Sequence, residues 1–163
     1  MNKEEILSEI KKTKEHLANM EKILGEYSDR WKPNSGDAYY YIDAFGNVLS
    51  QIETGYYSDS AFWKSYNCFQ TREQAEQEAE KILVRRMLED IARRLNKDNK
   101  IDWNNDKQFK YYICIDSRDN EIIWDREVRY ISQGIVYCLD MDFYNVAIKE
   151  IGEERLIKYL RGK

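Results

Sequence analysis

Histidine is nearly absent from this chain of 163 residues, where His16 is the only one. Zinc and iron sites commonly use two or more imidazoles, and a serine or cysteine nucleophile commonly needs an imidazole base. The sequence also has no Cys-x-x-Cys pair, no P-loop and no G-x-G-x-x-G motif. The aspartate pairs Asp116/Asp119 and Asp140/Asp142 stand at predicted turns or helix starts, where aspartate serves local hydrogen bonding. We therefore predict a protein that is not an enzyme and holds no metal or cofactor.

Long apolar runs, a leader and an excess of positive charge are also lacking. No apolar run approaches the roughly 20 residues needed to cross a bilayer, and the charged start Met1-Asn2-Lys3-Glu4-Glu5 has no apolar signal core behind it. The net charge of −4 disfavours a general nucleic-acid binder, which needs a basic surface. The widely spaced Cys68, Cys114 and Cys138 are typical of buried free thiols in a reducing compartment. We predict a cytoplasmic protein that does not enter membranes.

What the chain does contain is a pattern that occurs twice. Trp31 stands eight residues before a tyrosine run at 39–43, and Trp103 stands eight residues before another at 111–116. Each run meets a turn and is followed by two more apolar stretches and a helix-like segment. A repeat of about 70 residues is longer than a solenoid repeat and indicates a duplicated supersecondary unit. We expect one compact domain or two tightly packed lobes, with a helix over 1–30, a first βββα unit over 31–98 and a second over 99–163.

Local signals place the elements of these units. Thr71-Arg72-Glu73-Gln74 fits a capping box that starts a helix running to about Leu95. The last helix begins near Asp140 or Asp142 and is interrupted at Gly152. Alternation at period two predicts strands near 39–42, 48–53, 66–69, 110–116, 121–127 and 134–139. The chain is therefore predicted to be α+β, with antiparallel sheet and helices covering one face.

The first segment repeats apolar residues at alternating spacings of four and three, as a coiled coil does. Its seam consists of Ile6, Ile10, Thr13, Leu17, Met20, Leu24 and Tyr27. Either the helix pairs with a copy of itself, or it lies across its own sheet and the seam is its buried stripe. We expect the first, a homodimer that buries the oligomerisation residues Ile6, Ile10, Leu17, Met20 and Leu24.

Aromatic residues, with 13 tyrosines and four tryptophans, exceed what strands with one buried face require. Several lie in connections, which we expect to be loops, where strand packing does not demand them. Tyr, Trp and Arg dominate protein interfaces and also stack on bases, so these side chains form either a binding surface or a satellite core. The candidate partner-binding residues are Tyr56, Tyr57, Phe62, Trp63, Trp124, Arg126, Arg129 and Tyr130.

Sequence similarity adds a biological context. The segments that carry it are Trp31-Lys32-Pro33, Gly36-Asp37-Ala38-Tyr39-Tyr40-Tyr41-Ile42, Gly46-Asn47-Val48, Asn67-Cys68-Phe69-Gln70-Thr71 and the ending at 151–160. In these segments the chain resembles a group of small proteins from phages and prophages of Gram-positive bacteria, over nearly its whole length after the first helix. The resemblance implies an accessory factor that acts on host machinery, and it assigns no functional residue.

These observations together predict a non-enzymatic phage accessory protein that binds and blocks a host macromolecule. The expected partner is a host protein or ribonucleoprotein, most notably a defence component such as a CRISPR effector. One alternative is an oligomeric sponge that sequesters a nucleotide defence signal between aromatic rings and arginines. Another is a structural or packaging component of the virion.

Overall fold

The computed structural model describes residues 3–26, 30–119 and 121–162. Within these residues the chain has five helices and two antiparallel sheets of two strands each, which confirms the α+β class. The elements in chain order are α1 (Lys3–Glu26), β1 (Ala38–Ile42), β2 (Val48–Ile52), α2 (Tyr57–Lys64), α3 (Arg72–Asn96), β3 (Lys110–Ile115), β4 (Ile122–Glu127), α4 (Phe143–Ile151) and α5 (Glu153–Leu160).

Contacts within the chain divide it into two compact units. The first is Met1–Ile42 with Val48–Arg72, and the second is Asp43–Asn47 with Glu73–Lys163. The sequence suggested a boundary after α3, near residue 98. The structure groups α3 with the second unit instead, because its buried face, including Leu88 and Ile91, forms part of that unit's hydrophobic core.

Both hairpins form where the period-two pattern predicts them. In the first, Tyr39 lies opposite Gln51 and Tyr41 lies opposite Leu49. In the second, strands β3 and β4 pair from Lys110–Glu127 to Ile115–Ile122. Opposite residues of an antiparallel pair point to the same side of the sheet, so each hairpin brings its alternate side chains together on one face.

The third strand that the sequence predicts in each unit is reduced to a single bridge. Tyr40 pairs with Phe69, and Tyr111 pairs with Cys138, both antiparallel. In the first unit the side chain of Asn67 replaces a further backbone pair: its Nδ2 donates to the Ile42 carbonyl at 2.7 Å and its Oδ1 accepts from the Ile42 amide at 2.8 Å. Each sheet is therefore two-stranded, and the third segment of each predicted βββ order contributes a single bridge.

The connection at 56–63, expected to be a loop, contains helix α2. Its start is fixed by Asp59, whose carboxylate accepts the Tyr56 amide at 3.2 Å from the first turn. Phe62 then lies against the first hairpin, with its ring stacked on Tyr41 at 4.3 Å between centroids. The loop prediction was wrong here because the signal that starts the helix is a buried carboxylate rather than a Ser or Thr cap.

The second unit holds a continuous apolar core. Side chains of α3, both strands of the second hairpin, α4 and α5 meet in it, and its fully or nearly fully buried members include Val84, Cys138, Phe143 and Leu156. The break predicted at Gly152 is confirmed, since this residue separates α4 from α5 at φ 92°, a conformation that favours glycine.

Candidate functional site

The predicted aromatic surface is divided between the two units, and its residues differ in exposure. Tyr56 and Tyr57 are 73% and 88% exposed at the start of α2. Phe62, five residues later, packs on Tyr41 and lies 6.4 Å from the ring of Tyr39, which is fully buried. Phe62 therefore belongs to a small core beneath α2, whereas Tyr56 and Tyr57 are available to a partner.

Trp63 belongs to a group of cations and rings that we call the Trp63 cluster, made of Arg30, Lys32, Trp63 and Tyr66. The Arg30 guanidinium lies over both rings, 4.9 Å from the centroid of Trp63 and 4.1 Å from that of Tyr66, and the Lys32 ammonium lies 5.2 Å from the Trp63 ring. The Trp63 indole also donates to the carbonyl of Trp31 at 3.3 Å. This anchoring holds the half-buried Trp63 in place and leaves Tyr66 76% exposed.

The second hairpin carries a matching group, the Trp124 cluster, made of Phe109, Tyr111, Trp124 and Arg126. Tyr111 lies opposite Arg126 in the register, so both point to one face of the hairpin. Trp124 lies on the same face, 5.9 Å from Tyr111, and the Arg126 guanidinium lies 4.3 Å from the Phe109 ring. Because Trp124 is 45% exposed and Phe109 43%, the cluster forms a patch at the surface of the second unit.

The remaining predicted residues follow β4. Arg129 forms an ion pair with Asp106, which raises the pKa of Arg129 and lowers that of Asp106. Tyr130, beside it in the chain, is 73% exposed. Arg129 is thus engaged with its own unit, whereas Tyr130 presents its ring to solvent.

Sequence reasoning missed five members of these clusters: Arg30, Lys32, Tyr66, Phe109 and Tyr111. A signal for the first two was present, because basic residues flank Trp31 on both sides and short basic–aromatic runs favour cation–π contacts. No comparable signal marks Phe109 and Arg126, which are 17 positions apart and meet only because the hairpin folds back.

Asp59 is the buried acid of the first unit, with only 1% of its surface exposed. Its carboxylate accepts five hydrogen bonds of 2.7–3.2 Å, two from Thr54 and one each from the Tyr39 hydroxyl, the Gln51 amide and the Tyr56 backbone. The Thr54 backbone amide, with the other donors, lowers the pKa of Asp59 to about 2 against the opposing effect of burial. Burial and the bond to Asp59 raise the pKa of Tyr39.

Lys110 is the buried base of the second unit. Its side chain is fully buried, and its ammonium donates to the carbonyl of Val128 at 2.9 Å and to that of Asn105 at 3.3 Å. It also lies 5.1 Å from the ring of Trp103, which meets Tyr137 edge-on at 5.0 Å. Like Asp59, Lys110 ties the connections beside its hairpin to the first strand.

Three of the four aspartates that the sequence singled out, Asp116, Asp140 and Asp142, have local partners. The Asp116 carboxylate accepts two hydrogen bonds from the guanidinium of Arg118, two residues later in the chain, and these bonds lower the pKa of Asp116. Asp140 accepts the Asp142 amide, and Asp142 accepts the side chain of Asn145 at the start of α4. Among the described residues, no group of three or more His, Cys, Asp or Glu side chains could hold a metal ion.

A cleft of about 590 Å³ lies between α3 and α5 in the second unit, and its walls carry charges of both signs. Arg155 pairs with Glu80 across it at 2.6 Å, and Lys81 donates to the carbonyl of Gly162 at 2.9 Å. Arg155 and Lys81 therefore connect α3 to the C-terminal end of the chain, and we do not assign them to an anion-binding site.

The predicted oligomerisation residues lie on α1. Ile6, Ile10, Leu17 and Met20 are 42–58% exposed, so the seam is not a stripe buried in its own chain, and the side chain of Leu24 lies outside the described residues.

The three cysteines are free, with Cys68 and Cys138 buried, and burial raises the pKa of each thiol. No helix in the described part of the chain is both long enough and apolar enough to cross a membrane.

Comparison with known proteins gives no further guide. No protein-family model, no curated protein and no solved structure matches the chain. The candidate site is therefore defined by the two clusters and the exposed tyrosines alone.

Proposed function

We propose that this chain is a non-enzymatic accessory protein of the phage type, which binds a host macromolecule and blocks it. The target we propose is a component of a host defence system, such as a CRISPR effector. The observation that carries the proposal is the exposure of aromatic and basic side chains on each unit: Tyr56, Tyr57, Tyr66 and Lys32 on the first, and Trp124, Phe109 and Arg126 on the second.

These side chains suit a high-affinity surface for a physical reason. Tyr and Trp bring large contact areas with few rotamers to immobilise, and a guanidinium already stacked on a ring loses little further freedom when it binds. Arg126 is held against Phe109 and Arg30 against Tyr66 in this way. A partner with acidic or phosphate groups beside apolar surface would meet both kinds of contact at once.

The buried charges support a binding role over a catalytic one. Asp59 and Lys110 are fully engaged in holding connections to their hairpins, through five and two hydrogen bonds respectively. Each therefore has a structural role, and the solvent-exposed clusters carry the proposed activity.

The proposal also includes the origin of the two hairpins and the role of α1. We infer that the two hairpins descend from one duplicated βββα segment, which follows a helix that pairs two copies of the chain. In support, Tyr40-Tyr41-Ile42 aligns with Tyr111-Tyr112-Ile113 when the two bridged tyrosines are superposed. This register differs by one residue from the one that the spacing after Trp31 and Trp103 predicts, which matches Tyr39 with Tyr111. The surroundings of the two tryptophans differ. The Trp103 ring packs edge-on to Tyr137, whereas the backbone carbonyl of Trp31 accepts a hydrogen bond from the Trp63 indole, so the tryptophans do not support the duplication.

The direct test uses a Gram-positive host whose CRISPR system destroys a targeted plasmid. Expression of the chain is expected to restore transformation by the plasmid at least tenfold, and Trp124→Ala or Tyr57→Ala is expected to abolish most of the gain. Phe45→Ala is the matched control, because Phe45 is a 90% exposed ring outside both clusters. A wild-type chain that binds no purified effector complex and restores no transformation would refute the proposed target.

A nucleotide sponge is the second candidate, and the stacking of cations on rings in both clusters favours it. A ligand that binds the folded state at a concentration of 100 times its Kd stabilises it by about 2.7 kcal/mol. A thermal-shift screen with cyclic dinucleotides and cyclic oligonucleotides would therefore raise the Tm by roughly 5–10 °C if this function is correct.

A further inference from the structure

The seam of α1 has the local shape of a coiled-coil surface. A surface depression on this helix is lined by Ile6, Glu9, Ile10, Thr13 and Lys14. The first four stand at positions i, i+3, i+4 and i+7, which surround one hole on a helix face. In a coiled coil each seam side chain of one helix inserts into a hole formed by four residues of the other. The depression therefore lies where a side chain from a second helix would insert.

Thr13 is the polar residue of this seam, and its hydroxyl is already satisfied. Its Oγ1 donates to the carbonyl of Glu9 at 2.8 Å within the same helix. The hydroxyl proton therefore keeps its hydrogen bond when a partner covers the seam, while the methyl group adds to the apolar seam. Thr13 thus does not oppose burial of the seam.

One pair of charges beside the seam, Glu9 and Lys14, favours a parallel direction of pairing. With Ile10 and Leu17 at heptad position a and Ile6, Thr13 and Met20 at d, Glu9 falls at g and Lys14 at e. In a parallel coil the g residue of one helix faces the e residue five positions later in the other. Glu9 and Lys14 are five positions apart and opposite in charge.

An antiparallel pair would lose this match. It sets position e against e, so that at full overlap of the seam Lys14 would face Lys14 of the second copy. The ion pair described for the Glu9 carboxylate within its own helix is with Lys12, at 4.0 Å and highly exposed, and such a pair contributes little. Glu9 is therefore free to turn toward a second helix.

We propose that α1 pairs with α1 of a second copy as a parallel, in-register, two-stranded coiled coil, with Glu9 of each chain facing Lys14 of the other. Ile10 of one copy inserts into the hole that Ile6, Glu9, Ile10 and Thr13 form on the other. In a parallel coil the rest of both chains follows from the same, C-terminal end of the paired helices. This inference deepens the proposed function: the dimer carries two sets of binding clusters, and its affinity for a target with two sites rises by effective concentration.

Disulfide trapping tests the direction and the register. Met20→Cys places a thiol at a d position, where the two copies face each other only if the helices are parallel and in register. Mild oxidation is expected to convert most of this full-length variant to a covalent dimer on non-reducing gels. The matched controls are Glu15→Cys, on the opposite side of the same helix, and the wild type with its three native cysteines, both of which are expected to stay mainly monomeric on the gel.

Charge exchange gives a second, independent readout. Glu9→Lys and Lys14→Glu each create two repulsive contacts in a parallel dimer, and each is expected to weaken dimerisation about tenfold by sedimentation equilibrium. An equimolar mixture of the two variants is expected to recover near wild-type affinity, because both contacts between position 9 of one chain and position 14 of the other become attractive again. Circular dichroism confirms that each variant keeps its helix content.

Two results would overturn the inference: a wild-type chain that remains monomeric at tens of micromolar, or trapping of Met20→Cys no better than Glu15→Cys. Neither depends on the host target. A monomer that still restores plasmid transformation would refute the coiled coil and leave the proposed function standing. A trapped dimer that restores no transformation would refute the proposed function and leave the coiled coil standing.

Discussion

Phe62 and Tyr57 lie five residues apart on α2, and the structure assigns them opposite roles. Phe62 stacks on Tyr41 at 4.3 Å with the two rings 25° from parallel, whereas Tyr57 is 88% exposed. Truncating a fully buried Phe to Ala costs about 3–5 kcal/mol, so about 2–3 kcal/mol is expected for the half-buried Phe62. Truncating Tyr57 is expected to change the free energy of unfolding by no more than about 0.5 kcal/mol.

Thermal unfolding followed by near-ultraviolet circular dichroism separates the two outcomes. For a chain of this size each kcal/mol shifts the Tm by about 2–4 °C, so Phe62→Ala is expected to lower it by about 4–12 °C and Tyr57→Ala by less than 2 °C. In a binding assay the order reverses, since Tyr57→Ala is expected to cost about 2 kcal/mol of affinity as an anchor. Equal Tm losses for the two variants would refute the division of this segment into core and surface.

Three further predictions concern the buried charges and the helix break. Because the pKa of Asp59 falls from its ordinary 3.8 to about 2 on folding, its contribution to stability is complete above about pH 4 and is lost as the pH falls through 2; acid titration of the wild type should show this loss, and Asp59→Asn should flatten it. Lys110→Met keeps the apolar stem but leaves the carbonyls of Val128 and Asn105 without their donor, and urea unfolding is expected to show a loss of about 1–3 kcal/mol, with an unchanged stability contradicting the assignment. Gly152→Ala places a side chain on a residue at φ 92°, a conformation that residues with a Cβ rarely adopt, and calorimetry is expected to show a loss of about 1–3 kcal/mol, whereas a neutral result would mean that α4 and α5 can be connected without this conformation.

Several elements could be read directly from the sequence because their causes are local. The spacing of apolar residues predicted α3, which ends at Asn96, one residue past the expected Leu95. Alternation at period two placed both hairpins to within one or two residues at each end. Gly152 was recognised as a break because no local pattern continues a helix through it.

The sequence described the candidate site only in part. It selected Tyr57, Trp124 and Tyr130, which are exposed, but it also selected Phe62, which the hairpin covers. An aromatic residue in a connection has the same local signature whether it anchors a partner or fills a small core. Only the position of Tyr41, 21 residues earlier in the chain, decides between the two.

By itself the sequence determined the periodicities of α3 and of both hairpins and the break at Gly152, since each depends on residues within a few positions of one another. The tertiary structure decided which long-range partners those elements find. It placed the carboxylate of Asp59 among donors from β1, β2 and the connection before α2, and so made a helix where no cap was visible. It let the side chain of Asn67 replace a strand, and it joined α3 to the second hairpin. These outcomes depend on which distant surfaces bury apolar area and satisfy polar groups together, and no local pattern carries that information.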